Sequence, residues 1–187
     1  MIEMVERHRR ACADFSRVAA QLDEAQWALS TPCAEWDARA LVEHVIGFHD
    51  VLVLRPLGVH AHRPKTGPAA RWAATSVALF TALDAPGALD RETEVPGGGT
   101  SSLGGMLGAL TTEVLVHTWD LARATSVDPQ LDTELCASGY DAARGAGLGA
   151  ASAVFHAEVP VPGDADAPAR LVALFGRDPA WRPPARS

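Results

Sequence analysis

Lysine is almost missing from this chain: Lys65 is the only one. No cluster of basic residues exists anywhere, and the net charge is −7 with an isoelectric point near 5.4. A protein that neutralises phosphates needs concentrated positive charge, so the composition argues against nucleic acid and anionic membrane surfaces as partners. Cysteine is also scarce. The three present, Cys12, Cys33 and Cys136, lie far apart and form no CxxC pair. That rules against a disulfide scaffold and a zinc knuckle, and leaves reduced thiols. No apolar run reaches the ~20 residues that span a bilayer. The N-terminal segment MIEMVERHRR lacks the apolar core of a secretion signal. A cytoplasmic location is the expectation. Nearly all the positive charge is arginine, which with the high alanine content marks a GC-rich genome.

What is present is helical periodicity. The chain has 187 residues, 48% of them hydrophobic and 21% charged, enough for one sizeable core. Val5, His8, Cys12, Phe15, Val18 or Ala19 and Leu22 alternate by three and four, which predicts a helix over 3–29. Pro32 interrupts, and Asp37 is placed to cap a second helix from Ala38 to Leu54. Leu41, Val45, Phe48 and Leu52 would form its inner face, with His44 on the same side. Prolines make 55–68 a loop. A third helix is expected over 69–84, carrying Trp72, Val77, Phe80 and Leu83. The stretch from Ala85 to Gly105, with Pro86, Pro96 and three consecutive glycines, reads as a long connection that could border a site. The glycine run does not resemble a phosphate loop, having neither a preceding strand nor a following Lys-Ser/Thr.

A fourth helix, about Leu103 to Thr125, aligns Leu103, Leu107, Leu110, Val114, His117, Leu121 and Ala124. Asp128-Pro129 looks like the start of a fifth helix reaching Arg144. A small-residue stretch, an extended piece around FHAEVPVP, a short helix near 168–176 and a proline-rich terminus complete the chain. No internal repeat and no run of alternating strands occurs. The fold class predicted is all-α. The division expected is a helical bundle over 1–146 and a C-terminal extension over 147–187 that packs on it.

Glu113 and His117 stand at i and i+4 in EVLVH, one helical turn apart and on one face. His44 faces inward from the second helix. Two imidazoles and a carboxylate suit Zn²⁺, Fe²⁺ or Ni²⁺, and three protein donors leave a position open for water or substrate. Such a pair also arises at surfaces, and an inward histidine is often a core residue with a hydrogen-bond partner. A cation is favoured here because all three groups fall on faces expected to be buried, where an unpartnered carboxylate is costly.

Other residues divide between chemistry and packing. Asp120, three residues after His117, could orient a ligand histidine or simply pack between helices. Trp119 reads as core or pocket wall, and Trp36 as packing at the start of the second helix. His8 lies on the inner stripe of the first helix, where a satisfied core histidine is the ordinary reading. His49 should point away from His44. His60 and His62 sit in a proline-rich loop that could offer a second, looser metal site, although solvated histidines fit better. His156 has no identifiable partner. Arg123 and Arg177 could bind an anionic substrate or pair with surface acids. Cys33 could approach the metal, or be a plain buried thiol.

Three segments carry a resemblance. WDARALVEHVIG at 36–47 and EVLVHTWDLARAT at 113–125 resemble the two motifs of the mycothiol-dependent maleylpyruvate isomerase N-terminal family, a branch of the DinB-like metal-binding bundles. VPVPGDADAPARLVALFGRDPAW at 159–181 is similar to the tail of an uncharacterised actinobacterial subgroup of it. The resemblance implies a DinB-like four-helix bundle with a short C-terminal extension. It implies one divalent metal, zinc by the commonest assumption, held by His44, Glu113 and His117. It further implies a low-molecular-weight thiol such as mycothiol, activated as thiolate to attack an electrophilic substrate. The isomerase's larger C-terminal domain and its arginine have no secure counterpart here. A thiol S-transferase is therefore the leading expectation. A metal-dependent hydrolase, or a non-catalytic metal-binding or regulatory module, is the alternative. A homodimer is compatible with the apolar content.

Overall fold

A computed structural model describes residues 2–61, 64–65, 67–95, 98–147 and 157–184. His62, His156, Gly97 and the small-residue stretch 148–156 lie outside the described residues. Among those described, six α-helices surround one hydrophobic core: α1 (Ile2–Ala19), α2 (Ala38–His49), α3 (Pro68–Leu83), α4 (Leu103–Thr125), α5 (Thr133–Gly145) and α6 (Ala167–Leu174). A single hairpin, β1 (Glu92–Glu94) paired antiparallel with β2 (Thr100–Ser102), precedes α4. The architecture is mainly α, and no described helix is long and apolar enough to cross a membrane.

α4 is the axis of the molecule. Ser102 caps it by accepting from the Gly105 amide, and Ser126 ends it in the left-handed region. Every residue of its expected stripe is buried, and so are Leu115, Val116, Thr118, Trp119, Asp120 and Ala122. A helix buried nearly all round must be covered on every side. α1 packs along it most extensively, α5 and α2 flank it, and α3 lies on α2. Gly139 lets α5 approach closely, since a Cβ there would meet the Thr112 hydroxyl at 2.8 Å. Leu171, Leu174 and Phe175 from the C-terminal segment join the same core cluster as α1 and α4.

Several boundaries differ from the periodicity. α1 stops at Ala19 rather than near 29, because Asp23 and Gln26 form a reciprocal capping box that starts a separate 3₁₀ turn over Glu24–Ala28. The second helix keeps its predicted span only by changing type: Asp50–Leu54 is a π-turn, with the Arg55 amide reaching back to the Asp50 carbonyl. α5 begins after Asp132, whose carboxylate accepts from the Leu135 amide, and not at Asp128. Asp128 instead bonds the Gln130 amide in a local turn. On α3, Val77 is 70% exposed, and Thr75 and Leu79 share the buried face with Trp72, Phe80 and Leu83. The connection before α4 holds a 3₁₀ turn and the hairpin, and its 84–90 segment lines a cleft with Val5, Glu6 and Arg9.

Candidate metal centre

Asp37 caps α2 through the Ala40 amide, and from that fixed start Leu41, Val42, Val45 and Ile46 are driven into the core. His44 is left at the edge of the buried face, half-exposed, looking across at α4. Glu113 and His117 sit on successive turns of α4, on one face. One donor atom from each of His44, Glu113 and His117 lies within 4.8 Å of the other two. His117 Nε2 is 3.5 Å from Glu113 Oε2, and the two imidazole rings stand nearly perpendicular with centroids 5.0 Å apart. Exposure is graded across the group: the His117 side chain is 3% exposed and Glu113 26%. The cluster therefore runs from a sealed end at His117 to a partly exposed one at Glu113.

Trp36 does more than pack at the start of α2. Its indole stacks on His44, with centroids 4.1 Å apart, and meets His117 edge-on at 5.7 Å. The ring orientation of His44 is thus held by an aromatic face on one side and by Phe48 on the other. Trp119 is buried on the far side of α4 under the Arg123 guanidinium.

Behind His117 runs a chain of charge. Its Nδ1 is 3.1 Å from Asp120 Oδ2, and Asp120 is completely buried. Arg177 donates to both carboxylate oxygens, from Nη2 at 2.9 Å and from Nε at 3.3 Å. The end of α6 aims that arginine. Gly176 takes a left-handed conformation at the helix end, the Arg177 amide bonds the Val172 carbonyl, and Nη1 bonds Phe175 O. A buried carboxylate with a fork-shaped counter-ion stays ionised. Burial pushes the Asp120 carboxyl up, but its hydrogen bond to His117 and the Arg177 charge outweigh this and hold it below the usual range.

The same balance sets the two histidines apart. Burial pulls His117 down, yet bonds to Asp120 and Glu113 leave its pKa above the ordinary 6.5. Burial, then repulsion by His117, pushes His44 down to about 4, only partly offset by Glu113. His44 is accordingly a neutral imidazole with a free lone pair at neutral pH. With Asp120 accepting from Nδ1, the hydrogen-bond network assigns the Nδ1–H tautomer to His117 and turns bare Nε2 toward the Glu113 carboxylate. Lone pair against anion is repulsive unless something positive sits between them. A proton or a cation answers that need, and the donor set of two nitrogens and one carboxylate fits a divalent cation. Separations such as the 3.5 Å above are close to those of neighbouring donors in a tetrahedral site, roughly 3.3 Å.

Asp120 lies beside His117, three residues along the same helix, but nothing in the sequence pointed to its partner. Arg177 pairs with a buried acid rather than a surface one. It comes from 57 positions further along the chain, a distance no local motif reveals. Arg123 instead bonds the Pro179 carbonyl. Cys33 stays outside the donor cluster, with its thiol against Glu35 and its pKa pushed up to about 12 by burial. His60 is exposed. His49 points away from the triad, as its register requires, and meets His8. The 84–90 segment borders a different cleft, which none of the three donors lines.

Residues 8–122 match the mycothiol maleylpyruvate isomerase N-terminal domain, a DinB-like metal-binding family. Two proteins of Mycobacterium tuberculosis strains, the uncharacterized proteins Rv0738 and MT0763, are each 34% identical over 176 residues, covering 91% of this chain and 95% of theirs. No solved structure matches the chain. With more than half its length matched, and with relatives aligned almost end to end, the chain belongs to the mycothiol maleylpyruvate isomerase N-terminal domain family.

Proposed function

We propose that this protein is a divalent-metal-dependent enzyme of the thiol S-transferase type, with His44, Glu113 and His117 as metal ligands. The observation that carries the reading is the convergence of three donor atoms, from α2 and α4, within 4.8 Å. Among the described residues no fourth protein donor joins them, so a coordination position remains for a small molecule. Bound there, a cation such as Zn²⁺ lowers the pKa of a thiol or water in that position and favours the anion. The family relationship makes a small-molecule thiol of the mycothiol kind the natural occupant.

The protein's own groups do the remaining work. Asp120 keeps a proton on His117 Nδ1 and so keeps the other nitrogen free. Arg177 compensates Asp120 and prevents it from taking that proton. Trp36 and Phe48 wall the His44 side, which limits water and offers apolar surface to an electrophilic substrate. Glu113, whose side chain is partly exposed, is the group placed to receive the thiol proton.

The test is elemental analysis of protein purified without an affinity tag, followed by a screen of electrophiles with and without mycothiol. One divalent ion per triad and thiol-dependent turnover are expected. Full metal occupancy in a His117→Ala variant would refute the ligand assignment. Metal without any thiol-dependent chemistry would favour a hydrolase or a regulatory module.

A further inference from the structure

A second constellation lies in the core between α1 and α2, away from the triad. His8 and Cys12 share one face of α1, one turn apart, and His49 ends α2 immediately before the π-turn. All three are effectively sealed from solvent, at 0%, 1% and 0% exposure. His8 Nε2 is 3.1 Å from His49 Nε2 and 3.7 Å from Cys12 Sγ. One donor atom from each falls within 4.8 Å of the others.

Proton bookkeeping shows what is odd here. His49 Nδ1 is 2.7 Å from the Val45 carbonyl, which can only accept, so that nitrogen carries the hydrogen. Thr111 Oγ1 is 2.6 Å from the Leu107 carbonyl, a separation of two oxygens that requires the hydroxyl proton between them. Thr111 can then only accept from His8 Nδ1, at 3.1 Å. Both neutral imidazoles are left with bare Nε2 atoms facing each other, and a thiol beside them. Two lone pairs at that distance repel unless a positive charge lies between.

We propose that His8, Cys12 and His49 form a second, fully buried cation site that takes a thiophilic d¹⁰ ion, Cu⁺ or Zn²⁺. The separations are nearly those of a formed site. Bonds of about 2.0 Å to nitrogen and about 2.3 Å to sulfur place neighbouring nitrogens roughly 3.3–3.6 Å apart and nitrogen and sulfur roughly 3.6–3.8 Å apart. The two second-shell bonds, to Val45 O and Thr111 Oγ1, fix both tautomers with Nε2 inward. Binding releases one proton, from the Cys12 thiol to solvent, and changes neither imidazole. A thiolate with Cu⁺ is neutral overall, whereas with Zn²⁺ it leaves one buried positive charge, so the sealed core favours Cu⁺. A proton is a poor substitute occupant, since burial pushes the pKa of both histidines down and that of the Cys12 thiol up.

The experiment uses the full chain with His44→Ala, to disable the triad, and Cys33→Ser with Cys136→Ser, to remove the other thiols. Reduced, metal-free protein is given Cu⁺ or Zn²⁺ anaerobically in competition with a chelator. X-ray absorption at the metal edge then reads the ligands. One equivalent bound, with one thiolate sulfur and imidazole scatterers, is expected, Cu⁺ being held more tightly. Adding Cys12→Ser should remove the sulfur scatterer and weaken binding at least 100-fold, with helical circular dichroism confirming the fold. If that variant does not fold, the parental spectrum decides alone, because Cys12 is its only cysteine. Neither ion bound, or a bound ion without thiolate sulfur, would overturn the proposal. Either result leaves the triad reading untouched, since the triad contains no sulfur.

Discussion

Two three-donor clusters, each taking one histidine from α2, were built by the same fold to different specifications. His44, Glu113 and His117 include a carboxylate and grade from buried to partly exposed. His8, Cys12 and His49 include a thiol in place of the carboxylate and are closed on every side. The first is backed by formal charges, Asp120 and Arg177. The second is backed only by neutral acceptors, the Val45 carbonyl and the Thr111 hydroxyl. A cluster that must exchange small molecules needs an open edge and a tuned ligand, while a cluster that only holds an ion needs neither. The contrast therefore distinguishes the proposed reactive centre from the proposed structural one before any substrate is known.

The sharpest way to break it is His117→Ala. Ion binding at the triad should be lost altogether, more than the ~100-fold that removal of an orienting partner costs. Binding at the buried cluster should be unchanged, as titration by metal-edge spectroscopy would show. Loss at both would mean that the two are one coupled system. Next in size is Arg177→Met. Stripping the counter-ion from a fully buried carboxylate costs roughly 3–5 kcal/mol, read as a lower denaturant midpoint. An unchanged midpoint would mean that Asp120 is solvated or protonated.

Asp120→Asn is milder. It removes the charge that fixes the His117 tautomer, and triad affinity should fall about 10–100-fold, again with the buried cluster spared. The smallest effect is a slope. A cation at the triad displaces the proton of His117, whose pKa lies above the ordinary value. Affinity there should fall about tenfold per pH unit below that pKa and level off above it. At the buried cluster the displaced proton belongs to Cys12, whose pKa burial has raised. Affinity there should keep rising by about tenfold per pH unit through the neutral range and beyond. Parallel pH profiles would erase the distinction.

Legibility in the sequence followed range. Glu113 and His117 are one turn apart on a strongly periodic helix, and α4 has the predicted ends, Leu103 and Thr125. His44 was readable from the inner face of α2, although that face is wider than expected and holds Val42, Ile46 and His49 as well. Helix ends were less readable, because capping competes with periodicity. Asp23 with Gln26, and Asp132 rather than Asp128, decided where the chain turned. Pairings between distant segments left no local trace, as with Arg177 and Asp120. The buried cluster was half visible: His8 and Cys12 sit at i and i+4, the same signal that singled out Glu113 and His117. What was hidden is the packing of α1 against α2 that brings in His49.

The tether from Arg177 to Asp120 also has a meaning for biosynthesis. A ribosome releases Asp120 fifty-seven residues before its counter-ion. Until the tail emerges and folds back, the nascent chain holds His44, Glu113 and His117 but cannot settle the carboxylate behind them. Competence of the proposed centre is thereby tied to synthesis of α6 and the turn that follows it, so that a chain truncated just before Gly176 would carry all three proposed ligands and still lack a finished site.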